Sequence, residues 1–103
     1  MLTLKYLRYW HTRFNTLVFD GKLSRAVIVI EPLGDKFAGF CATGAPCTIS
    51  IDSELTRQQA RIIMLHEMVH QWQSESGLPM DHGRSFSQWR TQCKLLTGLP
   101  LSL

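Results

Sequence analysis

Apolar positions recur along this chain with two different periods, and the changes of period divide it into elements. From Leu4 the apolar positions Leu4, Leu7, Trp10 or His11, and Phe14 follow helical spacing, which leaves Lys5, Arg8 and Thr12 on an exposed stripe. Asn15 and then Asp20-Gly21 predict the break that ends this N-terminal helix. The β-branched run Ala26–Glu31 predicts a strand, and Pro32-Leu33-Gly34-Asp35 a turn. Lys36–Cys41 predicts a second strand. Cys47–Ile51 predicts a third, with Thr48, Ile49, Ser50 and Ile51 alternating between faces. Short connections between them favour an antiparallel meander with Cys47–Ile51 at an exposed edge.

The period then returns to helical. Thr56-Arg57-Gln58-Gln59 has the form of a capping box, Thr56 as N-cap and Gln59 three residues on. The helix it opens is expected to run to about Ser76, with Gly77 and Pro79 stopping it. Ile62, Leu65, Val69 and Trp72, with Met68 beside them, form its apolar stripe, and His66 and His70 fall on a different face. Ser85-Phe86-Ser87-Gln88 repeats the capping pattern ahead of a closing C-terminal helix that buries Phe86, Trp89, Cys93 and Leu96. The order of helix, small three-stranded and mainly antiparallel sheet, helix and closing helix predicts an α+β fold.

A chain of 103 residues, 45% of them hydrophobic, suffices for one domain, 1–103, with one core. No apolar run approaches the roughly 20 residues that cross a bilayer. Lys5, Arg8 and Arg13 interrupt the first segment, which therefore makes a poor secretory signal and points to a cytoplasmic protein without a membrane partner. Cys41, Cys47 and Cys93 are odd in number and contain no CxxC, so neither a disulfide framework nor a zinc ribbon is expected. Cys41 and Cys47 flank a turn across which they could face each other, and reduced thiols are the expectation. The net charge of +3 is unevenly spread. Up to residue 25, Lys5, Arg8, Arg13, Lys22 and Arg25 face only Asp20, and Arg84, Arg90 and Lys94 have no acid after Asp81 to offset them. Such an excess either attracts nucleic acid or is scattered solvated charge.

The candidate chemistry sits in the second long helix. His66-Glu67-Met68-Val69-His70 has the HExxH form. Residues four apart on a helix share a face and lie about 6 Å apart along its axis, the separation at which two imidazoles grip one Zn²⁺. Glu67 projects from the neighbouring flank, where it can take a proton from water without occupying the metal. A lone histidine on such a helix would be a surface or hydrogen-bonded residue; two at this spacing around a glutamate are the signal. The third ligand needs its own argument. Residues 73 and 76 are Gln and Ser, which excludes the metzincin continuation, and the absence of any acid after Asp81 excludes a glutamate from a later helix. Glu75, rotated away from His70 on the same helix, cannot reach. Asp81 and His82 remain, with His82 favoured because Gly83 lets its loop turn back, and Asp81 available as an acceptor that orients a ligand imidazole or as a helix cap. Tyr6, Tyr9, Arg84 and Arg90 are candidate oxyanion stabilisers, each more simply a packing or surface residue.

Asn15–Leu23 (NTLVFDGKL), the strand-rich middle, Leu65–His70 and the run His82-Gly83-Arg84-Ser85-Phe86 resemble the SprT-like metallopeptidase domain, in a minimal form without the C-terminal zinc ribbon of longer members. The resemblance implies a zincin-like fold, His66, His70 and His82 as ligands of one Zn²⁺, and Glu67 as the catalytic glutamate. It also implies a protein or peptide substrate and, in several members, action on DNA-associated proteins. So compact a version would suit a phage or bacterial mobile-element protein, acting in the host cytoplasm. The alternative expectation is a non-enzymatic, zinc-stabilised module that binds nucleic acid or protein through Lys5, Arg8 and Arg13. A third is a hydrolase of cell-wall peptides.

Overall fold

The Thr3 hydroxyl starts the first helix by accepting from the Tyr6 backbone N–H at 3.1 Å, and α1 then runs Leu4–Phe19. The computed structural model describes residues 1–101. The break expected at Asn15 does not occur, because the Asn15 side chain bonds elsewhere. Its Nδ2 donates to the Leu23 carbonyl at 2.9 Å and its Oδ1 accepts from the Leu23 N–H at 3.0 Å. The helix continues through this residue, buries Val18 and Phe19, and ends where Asp20 turns left-handed at φ 55° ahead of Gly21.

Strands β1 (Val27–Glu31), β2 (Gly39–Ala42) and β3 (Thr48–Asp52) form one sheet in the order β1-β3-β2. β2 pairs antiparallel with β3, with Cys41 opposite Ile49, but β1 pairs parallel with β3, with Ile28 opposite Ile49. The expected antiparallel meander is therefore corrected to a mixed sheet. The connection 32–38 carries the chain past a strand position, and β3 returns into the gap, so Thr48–Asp52 is the central strand rather than an edge. Burial agrees: Ile49, Ser50 and Ile51 are all buried, which a half-exposed alternating strand would not show. The free edges belong to β1 and β2. Cys41 and Cys47 do meet across their turn, as free thiols; their mutual hydrogen bond pushes the Cys41 pKa up and the Cys47 pKa down.

α2 (Arg57–Glu75) carries the capping box as read from sequence: Gln59 N–H donates to Thr56 Oγ1 at 3.2 Å and Thr56 N–H to Gln59 Oε1 at 2.9 Å. It packs against α1 on one side and against β2 and β3 on the other, so its burial extends far beyond one stripe. Met64, Leu65, Met68 and Val69 meet Leu7, Phe14, Ile28, Ile49, Ile51 and Phe86 in the core, and Arg57 and Arg61 lie over the rings of Tyr6 and Trp10. The approach of β2 to α2 demands glycine at 39, where a Cβ would stand 2.7 Å from Ile63 Cγ2 and 2.8 Å from the Ser50 carbonyl.

The single closing helix is corrected to two short ones, α3 (Arg84–Ser87) and α4 (Arg90–Thr97). Between them the bond from Trp89 N–H to the Phe86 carbonyl tightens the chain, and the Trp89 ring packs against Phe19 and Trp72 at 4.7 and 5.0 Å. Ser85 does not cap α3; Gly83 occupies that position without a side-chain bond. Leu96, expected in the core, is 44% exposed, whereas Phe86 and Cys93 are fully buried. Among the described residues no helix is long and apolar enough to cross a membrane.

Candidate metal centre

α2 presents His66 and His70 one turn apart, and the loop before α3 brings His82 over them. The three side chains converge through the same ring atom. His82 Nε2 lies 3.3 Å from His66 Nε2 and 3.2 Å from His70 Nε2. Donors arranged tetrahedrally at about 2.0–2.1 Å from one centre are about 3.3–3.4 Å apart, so the rings already define edges of the right length for a tetrahedral ion. Imidazole nitrogen also suits zinc-like divalent ions. Among the described residues no other His, Cys, Asp or Glu joins this group. The residues therefore fit a metal held by three protein ligands with the remaining position left to water or substrate. His82 is accordingly the sequence-favoured candidate brought to the pair, and Asp81 does not join the group.

Why the rings point inward follows from their surroundings. Phe86, fully buried on α3, lies beneath all three imidazoles, with ring centroids 4.8, 4.9 and 4.9 Å from His66, His70 and His82. The sequence reading treated it as ordinary core; in the fold it is the floor of the triad. Gln73 orients His70. Its Nε2 donates to the Asp81 carbonyl at 3.0 Å and to Ser85 Oγ at 2.9 Å, which leaves Oε1 to accept from His70 Nδ1–H at 2.7 Å. His70 is thereby held as the tautomer whose Nε2 lone pair faces the metal position. The same amide ties the His82 loop to α2.

The role of orienting acceptor considered for Asp81 therefore belongs to Gln73. The Asp81 carboxylate instead accepts from Gly83 N–H at 3.0 Å. Sequence reasoning passed over Gln73 because it was read as a departure from another ligand pattern. The available signal was its spacing of three from His70 on the same helix face. Gln73→Ala should weaken metal affinity about 10–100-fold while leaving the fold intact. Competition with a chromophoric chelator reads this directly, and an unchanged affinity would deny Gln73 the role.

Glu67 is 5% exposed and projects towards β2; a Cβ on Gly39 would lie 3.6 Å from its Cγ. Burial pushes its carboxyl up to about 7. Burial likewise lowers the His70 pKa, more than its bond to Gln73 raises it, which favours the neutral ring a metal requires. Beside the triad opens a cleft of about 270 Å³ lined by Lys36, Phe37, Ala38, Gly39, Ile63, His66, Glu67 and His82. Tyr6, Tyr9, Arg84 and Arg90 do not line it. Lys36, unnoticed in the sequence, does.

A family model described as the SprT-like family matches residues 7–103, essentially the whole chain. A search of curated proteins gives no match.

Proposed function

The chain belongs to the SprT-like family, and from that membership together with the imidazole triad we propose that it is a zincin-like, zinc-dependent endopeptidase, with one Zn²⁺ held by His66, His70 and His82 and with Glu67 as general base and acid. The observation that carries this reading is the convergence of three imidazoles, with His82 Nε2 at tetrahedral edge lengths from the Nε2 atoms of both His66 and His70, beside a desolvated carboxylate. Zinc bound there supplies Lewis acidity towards a carbonyl oxygen and a lowered pKa for water.

The chain's own residues supply the rest. Glu67, buried beside the triad, takes the proton of the attacking water and delivers it to the nitrogen of the departing amine. Gln73 keeps His70 in the ligating tautomer throughout. Lys36, a cation in the lining of the cleft, supplies positive charge for the oxygen on which negative charge develops. The substrate main chain lies along β2, the free sheet edge next to the triad. Phe37, 58% exposed at the cleft, offers contact to an apolar substrate side chain.

The test is hydrolysis of casein by the zinc-loaded chain, abolished by chelation and restored by added zinc. A fully metallated protein that cleaves neither casein nor itself would remove the peptidase reading. Addition of single-stranded DNA to the same assay tests action on DNA-associated proteins, for which acceleration is expected. Against a purely structural zinc module stand the three-residue ligand set and the buried carboxylate beside it.

A further inference from the structure

A second cavity, of about 450 Å³, opens between α1 and the start of β1, lined by Arg8, His11, Thr12, Arg25, Ala26 and Ile28. None of these residues belongs to the metal centre. Two arginines line this cavity, and neither Arg8 nor Arg25 makes an ion pair or side-chain hydrogen bond among the described residues. His11, in the same lining, is 7% exposed.

A chain of hydrogen bonds settles which nitrogen of the His11 ring carries the proton. Gln71, fully buried, donates through Nε2 to the Ser24 carbonyl at 2.8 Å and to Glu75 Oε2 at 2.9 Å. Its Oε1 must therefore accept, and it takes His11 Nε2–H at 2.8 Å. The Glu75 carboxylate is occupied on the far side of this amide, its Oε1 accepting from Ser24 N–H at 2.9 Å. His11 Nδ1 has no partner among the described residues and is not sealed from solvent. A buried imidazole with its Nδ1 lone pair unspent thus lines a cavity whose wall also holds Arg8, Arg25 and Thr12.

We propose that this cavity is a binding site for a phosphate group that keeps a titratable proton, supplied either by the free phosphate ion or by a small organic monophosphate. The donor set dictates the class. Two guanidinium groups and a hydroxyl suit a tetrahedral oxyanion. A monoester keeps one titratable proton with a pKa near 6, which it can place on the hydrogen bond to His11 Nδ1. A phosphodiester has no such proton, so the site discriminates against a nucleic-acid backbone. The volume exceeds what a bare phosphate fills and lies within the range of small-ligand pockets.

Calorimetric titration of the full chain with inorganic phosphate, thymidine 5′-monophosphate, thymidine and the diester dithymidine monophosphate tests the site. Saturable one-to-one binding of the first two is expected, without binding of thymidine and with much weaker binding of the diester. Tighter binding of the nucleotide than of phosphate would assign the site to an organic monophosphate; equal affinities would assign it to the ion. Arg8→Gln and Arg25→Gln should each weaken binding about tenfold or more, while Arg13→Gln, which removes the same charge from α1 outside the cavity, should leave it within about twofold. Equal losses in all three variants, a diester bound as tightly as the monoester, or no saturation by either phosphate would each overturn the proposal. The metal and Glu67 play no part in this test, so its outcome is independent of the peptidase reading.

Discussion

His82→Ala should fold like the parent chain and lose its metal. The apparent binding free energy of structural zinc sites, about 10–16 kcal/mol, divides among four ligands to about 2.5–4 kcal/mol each. Removing one imidazole then weakens affinity about 10²–10³-fold. His82 is the informative choice because it stands exposed in the loop before α3, whereas His70 is buried against Phe86 and Gln73. Truncating His82 leaves no core cavity, so circular dichroism and the thermal midpoint of the metal-free protein should be unchanged. Metal analysis after dialysis against a weak chelator reads the loss. A variant that retains metal with the affinity of the parent would show that residue 82 is not a ligand, and the triad would have to be abandoned.

Glu67→Gln should retain its metal and lose hydrolysis by about 10²–10⁴-fold, the usual contribution of a positioned general base and acid. Full activity with bound metal would assign the proton transfers elsewhere. The same variant carries a second signature in the metal-free protein. Burial raises the Glu67 pKa from 4.5 to about 7, so between those values the folded chain binds more protons at this group than the unfolded chain does. The stability contributed by the carboxyl therefore falls as pH rises from 4.5 to about 7 and is level above that. The full difference is about 3 kcal/mol. Glu67→Gln removes the penalty, so in chelator the variant should be the more stable above pH 8, with the gap closing as pH falls towards the unfolded carboxylate value. Urea titrations at several pH values measure it; a gap independent of pH would mean that Glu67 is not desolvated in the folded protein. Bound metal favours the ionised carboxylate and should shrink the gap.

Local rules carried the reading furthest where structure depends on neighbours in the chain. The Thr56 capping box, the stop at Gly77 and the placing of His66, Glu67 and His70 around one face of α2 follow from helical geometry and were legible. His82 was legible by elimination because few candidate donors follow His70. Readings failed where a local motif met a longer-range partner. Asn15 looks like a breaker, but its amide is spent on Leu23, so the helix runs on to Phe19. Ser85 looks like a cap, but its hydroxyl accepts from Gln73. Phe86 looks like core and is core, yet its contacts to all three imidazoles give it a second role that no periodicity reveals.

By itself the sequence determined the long helix α2, its Thr56 capping box, the pair of imidazoles it carries and the acid between them, since all depend on spacing along one element. Only the tertiary structure decided that β3 lies between β1 and β2, that β2 rather than β3 borders the cleft, that Gln73 rather than Asp81 orients His70, and that Arg8, His11 and Arg25 share a cavity. Strand order, the rotation of a buried amide and the meeting of distant cations are fixed by which groups satisfy one another across the core, and burial enforces that matching between residues far apart in the chain.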